Sequence, residues 1–211
     1  MEWIIQLPVL FFSVVVHEFC HGWAAFVRGD DTAERAGRLT LNPMAHVDPF
    51  GTVFVPLLCL LTSSPVFGWA RPVPVNPRRF KDPVRDMVRV ALMGPLSNFA
   101  LALAAAFLFK GMTFVPGSGP GLRQTLLELL LFGVTLNFFL AFFNLLPVHP
   151  LDGSKVLSGL LPVRWRDVYE RHAPYGMVII LLLLFTHNLA PLVLWPMRIS
   201  MALLMQVGIL G

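Results

Sequence analysis

Residues 3–27 read WIIQLPVLFFSVVVHEFCHGWAAFV. As a helix these 25 residues would extend about 37 Å, at 1.5 Å per residue, enough to cross a bilayer with some tilt. No basic stretch precedes the run, since the chain opens Met1-Glu2-Trp3. It is also longer than the 7–15-residue core of a signal peptide. The expectation is a membrane helix retained in the mature protein, and the fold follows from it.

Composition agrees. Hydrophobic residues make up 56% of the 211 and charged residues 13%, against roughly 25% charged in an ordinary soluble domain. There are 18 Phe and 3 Lys. So little charge cannot cover a soluble surface. A disordered chain, a nucleic-acid reader and most cytosolic enzymes are excluded, and a polytopic membrane protein is favoured. The net charge of +4 matters less than where it sits. Two cysteines, Cys20 and Cys59, are too few for a disulfide framework.

Further apolar runs follow. Phe50 to Leu61 is short, about 18 Å as a helix, and carries Pro56. Runs of that length mark re-entrant or buried segments. Other apolar runs span 84–109, 122–146, 175–185 and 189–210. Between them, 65–83 is rich in proline, and Trp69-Ala70-Arg71-Pro72-Val73-Pro74-Val75 alternates as a strand would. Its prolines confine it to a sheet edge. Pro116-Gly117-Ser118-Gly119-Pro120 reads as a turn. Nine Lys/Arg lie between Arg28 and Arg89 and four between Lys155 and Arg171, while residues 111–120 and 186–191 carry none. With the basic segments cytoplasmic, Phe50–Leu61 enters and leaves on one side. The expected architecture is a single domain over 1–211: an all-α polytopic membrane protein of about five to six membrane helices, with one re-entrant element and a small membrane-associated β segment. Its N-terminus lies outside.

Within the first run, His17-Glu18-Phe19-Cys20-His21 fits H-E-x-x-H. Residues i and i+4 share a helix face, so both imidazoles can ligate one Zn²⁺. Glu18, one position along, suits a base acting on water at that ion. The motif lies about 16 Å from the helix end at Arg28, and ionisable groups at such depth are functional by default. Cys20 reads as a packing residue. A catalytic zinc takes a third protein ligand. The candidates are His46, His149, Asp152 and His187. Asp152 stands out, because Pro147 and Pro150 unwind the chain just before it, on the side of His17. Unwound backbone at that depth belongs only where protein or a wet cavity surrounds it.

Three blocks together resemble the site-2 protease family of intramembrane zinc metalloproteases, in its short bacterial form without a PDZ domain. The first is H-E-x-x-H in the first helix. The second is Asn42-Pro43-Met44-Ala45-His46-Val47-Asp48-Pro49-Phe50-Gly51, followed by Gly68 through Pro77 and Gly94-Pro95-Leu96-Ser97-Asn98. The third is Asn144 through Gly153, similar to N-x-x-P-x-x-P-L-D-G. The resemblance covers about residues 10 to 160. It implies one zinc per chain held by His17, His21 and Asp152, with Glu18 catalytic and an active site that opens toward the cytosol. His149 stands where relatives more often carry Pro, and is the alternative ligand. Asn144 is chosen by its place in the motif as the donor to a developing oxyanion, with a helix-end cap as its other reading.

The function expected is hydrolysis of peptide bonds within or near transmembrane segments of membrane-protein substrates. The expected partners are that substrate and the bilayer, with no nucleic acid. The location is the cell membrane, multi-pass, with the site facing the cytoplasm. The sequence assigns no oligomeric state. A membrane protease with a Glu third ligand would have to use Glu128. A non-proteolytic metal-binding protein or metal transporter would need ligands strung along a path, whereas one tight cluster is present. Among the remaining polar residues, His46 reads as capping a loop. Asn98 either holds substrate or hydrogen-bonds between helices. His172 and His187 read as interfacial, Trp69, Trp165 and Trp195 as belt residues, and the arginines of 71–89 as lipid head-group contacts.

Overall fold

A computed structural model describes residues 2–61, 70–114 and 120–210. The long helices are α1 (Glu2–Phe26), α4 (Pro83–Thr113), α5 (Pro120–Asn144) and α9 (Leu189–Gln206). Shorter ones are α2 (Thr32–Arg35), α3 (Val55–Leu61), α6 (Asp152–Leu160), α7 (Val163–Glu170) and α8 (Gly176–Phe185). Five stretches are long and apolar enough to cross a membrane: Ile5–Phe26, Pro83–Thr113, Gly121–Asn144, Val163–Phe185 and Leu189–Gln206. The fourth joins α7 and α8 through a 3₁₀ turn at Ala173–Tyr175. The chain is a multi-pass membrane protein.

Helix α4 is the centre of the bundle and packs against α1, α5 and α6. Its start is specified locally. The Asp82 carboxylate accepts from the Arg85 amide at 3.1 Å, and Pro83 sits where the helix needs no donor. Ala102 and Ala106, four apart and fully buried, let α4 approach Val134 and Phe138 of α5 closely, with Leu204 of α9 completing the cluster. Where α1 ends, Ala24 and Ala25 pack on Phe80 and Val90. Phe107, Leu108, Phe185 and Trp195 lie exposed, as lipid-facing side chains should.

Phe50–Leu61, expected to be short, forms a π-helical turn at Pro49–Phe54 that runs into α3. The Asp48 carboxylate caps it by accepting from the Phe50 and Gly51 amides at 3.0 and 2.6 Å. Residues 62–69 and 115–119, and with them Trp69 and most of the expected 116–120 turn, lie outside the described residues.

The expected small β segment is corrected: there is no strand among the described residues. Residues 70–76 form no regular element and pair with no strand among the described residues. Pro72 and Pro74 have no N–H to offer a ladder. Side chains and one loop carbonyl bind several of the groups that remain. The Arg71 amide donates to the His46 carbonyl at 2.9 Å. Arg38 donates to the Arg71 carbonyl at 2.6 Å. The Val73 and Asn76 amides donate to the Glu18 and Asp30 carboxylates at 2.8 and 2.6 Å. The alternating pattern thus produces a strap tied down by charged groups, not a sheet edge.

Candidate metal centre

Helix α1 presents His17 and His21 on the face it turns toward α4. On α4 the spacing of four recurs as Val90, Gly94 and Asn98, one stripe meeting the two rings. His21 Nδ1 donates to the Val90 carbonyl at 2.8 Å. His17 Nδ1 lies 2.6 Å from Asn98 Oδ1. Between them Gly94 leaves the room the rings occupy. A Cβ there would stand 2.5 Å from His21 Cε1 and 2.6 Å from His17 Cε1. The rings meet edge-on, with centroids 4.6 Å apart.

The third group arrives from the end of α5. Pro147 and Pro150 stop the helix, and the chain turns back through its own bonds, Val148 to the Leu146 carbonyl and Leu151 to the Val148 carbonyl. Helix α6 then starts at Asp152. Gly153 docks tightly, since a Cβ there would lie 2.5 Å from the Leu146 carbonyl oxygen. Asp152 Oδ2 stands 3.1 Å from His17 Nε2 and 3.0 Å from His21 Nε2, and these nitrogens are 3.0 Å apart. All three residues are buried.

These contacts do not make sense as hydrogen bonds alone. The Val90 carbonyl can only accept, so a neutral His21 carries its proton on Nδ1. Asn98 Oδ1 requires the same of His17. Each Nε2 then offers a lone pair, and Asp152 offers another. Three acceptors converge with no proton between them, an arrangement that fits a cation. Zinc ligands at about 2.0–2.1 Å in a tetrahedron stand about 3.3 Å apart, close to the separations here. Two imidazoles and a carboxylate are also the donor set of a catalytic rather than a structural zinc.

A cavity of about 290 Å³ opens beside this triad, bounded by Glu18, the strap at Val73 and Val75, Asn144, and Lys155. Glu18 lies on its wall, one oxygen accepting from the Val73 amide. Lys155 Nζ stands 3.6 Å from the other oxygen of Asp152. Asn144 is the last residue of α5, and its amide donates to the Leu140 carbonyl at 3.0 Å. Burial and, after it, the nearby Arg71 lower the pKa of Arg38, which holds the strap, while Glu18 acts the other way. A guanidinium starts so high that it stays charged.

The other candidates lie elsewhere. His149 Nδ1 faces Ser154 Oγ at 3.2 Å, its Nε2 is 3.6 Å from Glu170, and its ring lies 5.2 Å from Tyr169. His46 Nε2 donates to the Thr40 carbonyl at 2.9 Å, so it pins a loop. His187 is in the turn after α8. Glu128 is exposed and accepts from Gln124. Asn98 bonds between helices. Sequence reading passed over its further partners, Asn137 and Ser13, although each is a polar side chain inside an apolar run, a readable signal. Ser13 is also one helical turn before His17.

Comparison with known proteins follows the same line. The model of peptidase family M50 matches residues 111–187. Three relatives carry the description "Putative zinc metalloprotease". YwhC of Bacillus subtilis is 42% identical over 193 residues, which is 89% of this chain and 83% of that protein. MJ0611 of Methanocaldococcus jannaschii is 45% identical over 70 residues, 33% of this chain and 32% of the relative. Rip2 of Mycolicibacterium smegmatis is 26% identical over 186 residues, 82% of this chain and 64% of the relative. No solved structure matches at a comparable level.

Proposed function

The chain belongs to peptidase family M50, the site-2 proteases, and is a zinc metalloprotease; from that premise we propose that it is an intramembrane endopeptidase cutting membrane proteins within or near their transmembrane segments. The observation that carries this reading is the convergence of His17, His21 and Asp152, buried among helices of membrane-spanning length, beside a cavity walled by Glu18. In this reading one zinc per chain is held by those three residues. Such an ion supplies Lewis acidity, polarising a carbonyl and making a water easier to deprotonate.

The residues of the chain do the rest. Glu18 removes a proton from the attacking water and returns it to the leaving amine. Its bond to the Val73 amide leaves one carboxylate oxygen to carry that proton and fixes where it points. Asn144, on the cavity wall, donates to the carbonyl oxygen as charge develops there. One amide hydrogen already serves the Leu140 carbonyl, which leaves the second for this role. The scissile carbonyl of a helical substrate is hidden in its own hydrogen bonds, so the segment must unwind to enter the cavity.

Orientation rests on charge. The cavity mouth is marked by half-exposed Lys155 and by the strap. Both belong to the basic segments that the charge rule places in the cytoplasm. A site open to the cytoplasm, water-fed from that face, follows.

The test is a transmembrane reporter co-expressed with wild type or with Glu18→Gln. Expected are retained zinc and cleavage reduced about 10²–10⁴-fold, the usual contribution of a positioned base. Undiminished cleavage would remove Glu18 from the reaction. Metal flux that survives Glu18→Gln, with no cleavage by wild type, would favour a transporter. Against transport, the described residues contain one three-ligand cluster and no chain of them.

A further inference from the structure

Behind His17 lies a line of buried polar groups that runs away from the cavity, across three helices. His17 Nδ1 faces Asn98 Oδ1 at 2.6 Å. Asn98 Nδ2 donates to Asn137 Oδ1 at 2.8 Å. Asn137 Nδ2 donates to Ser13 Oγ and to the Gly133 carbonyl, each at 2.9 Å. The Ser13 hydroxyl donates to the Val9 carbonyl at 2.8 Å. Ser13, Asn98 and Asn137 are between 0 and 3% exposed, so water cannot substitute for a missing partner.

The line has a direction. Its far end is two backbone carbonyls, which can only accept. The Gly133 carbonyl therefore demands the amide side of Asn137. Ser13, whose hydrogen is committed to Val9, also needs a donor. With both amide hydrogens so used, Asn137 presents its oxygen to Asn98. Asn98 must then turn its NH₂ toward Asn137 and its oxygen toward His17. Only a proton on His17 Nδ1 satisfies that oxygen, which leaves the Nε2 lone pair facing Asp152 and His21. A flipped Asn137 would set oxygen against oxygen at Gly133, with a buried acceptor unpaired.

We propose that Asn137 is a positioning residue of the metal centre, which fixes through Asn98 the tautomer and orientation of His17. The inference rests on the metal-centre reading above. Asn98 touches the ligand, and Asn137 makes the Asn98 orientation unambiguous. Partners of a ligating histidine are worth about 10–100-fold in metal affinity, and Asn137 acts through such a partner.

Four full-length proteins in detergent separate this role from simple packing: wild type, Asn137→Ala, Asn98→Asp, and both changes together. Zinc affinity is read by competition with a chromophoric chelator, and thermal stability alongside. An aspartate at 98 has only acceptor oxygens toward His17, so it needs no instruction from Asn137. Asn137→Ala alone should weaken zinc binding about tenfold or more. In the Asn98→Asp background the same change should alter zinc affinity less than twofold, while thermal stability falls in both. Equal losses of affinity in the two backgrounds, or no loss in either, would overturn the proposal.

A measurement on wild type alone covers the case in which variants do not fold. In zinc-loaded protein labelled with ¹⁵N-histidine, the His17 resonances should report a protonated Nδ1 and an Nε2 that carries no proton. A dominant Nε2–H form would overturn the proposal without touching the protease assignment. Failure of wild type to bind zinc at all would instead remove the metal reading and this inference with it.

Discussion

Gly94→Ala adds one methyl group at the point where α4 crosses the histidine pair. In an ordinary helix that change is favourable by about 1 kcal/mol. Here the new carbon would lie 2.5 Å from His21 Cε1 and 2.6 Å from His17 Cε1. Ordinary carbon contacts are about 3.5–4.0 Å, so roughly 1 Å of overlap must be relieved. Helix α4 cannot simply retreat, because Ala102 and Ala106 are packed without space on α5. A retreat would also stretch the bonds from Val90 to His21 and from Asn98 to His17, both of which belong to α4. If the rings move instead, the 3.0–3.1 Å convergence with Asp152 is lost. Coordination tolerates about 0.2 Å, so either route breaks it. The expected result is a loss of zinc affinity of about 100-fold or more, or about 2.8 kcal/mol at 1.4 kcal/mol per decade, with cleavage falling in step. The assay is chelator competition on purified protein. Gly133→Ala is the control, since its Cβ would meet only Ala105 and Val9 at 3.6 and 3.7 Å. Zinc affinity within threefold of wild type for Gly94→Ala would refute the argument.

Other expectations rest on separate parts of the structure. Asp152→Ala should strip zinc from purified protein, whereas His149→Ala, whose ring faces Ser154 and Glu170, should retain it; the reverse outcome in metal analysis would move the third ligand. Asp30 is fully buried and accepts from the amides of Thr32 and Asn76. Asp30→Ala should cost about 3 kcal/mol, given 1–3 for each buried donor left unpaired, seen as a lower unfolding midpoint in detergent together with weaker cleavage as the strap comes loose. Ala106→Leu overpacks the α4–α5 contact and should cost about 1–3 kcal/mol by the same unfolding assay, with zinc affinity unchanged because Ala106 lies two turns beyond Asn98.

The spans and the histidine pair were legible because each is a local pattern. Apolar length fixes a crossing without reference to neighbours, and a spacing of four fixes a shared helix face. Asp152 was legible for a related reason, as the prolines before it could only end α5. What sequence could not supply was partnership. Alternation at 69–75 looked like a strand, but a strand exists only where another offers its backbone, and here Glu18, Asp30, Arg38 and the His46 carbonyl do so instead. Helices α6 and α7 were hidden in a segment read only for its charge. Asn137 is marked as a polar side chain in an apolar run, but what it and Gly94 face depends on how α4 meets α1 and α5.

The strap places a condition on the proposed chemistry. Glu18 is asked to be both a base and an anchor, since one of its oxygens holds the Val73 amide. A carboxylate can do both, for its two oxygens are separate acceptors. That bond also fixes which oxygen faces the cavity, so the strap orients the base as well as covering it. Loosening the strap should therefore do more than enlarge the cavity: it should leave Glu18 free to turn, so that cleavage falls by more than zinc affinity does. For that reason the Asp30→Ala protein is best examined for zinc affinity as well as for cleavage. Undiminished cleavage at full zinc occupancy, in a protein whose strap has demonstrably come loose, would mean that Val73 only covers the site and has no part in positioning its base.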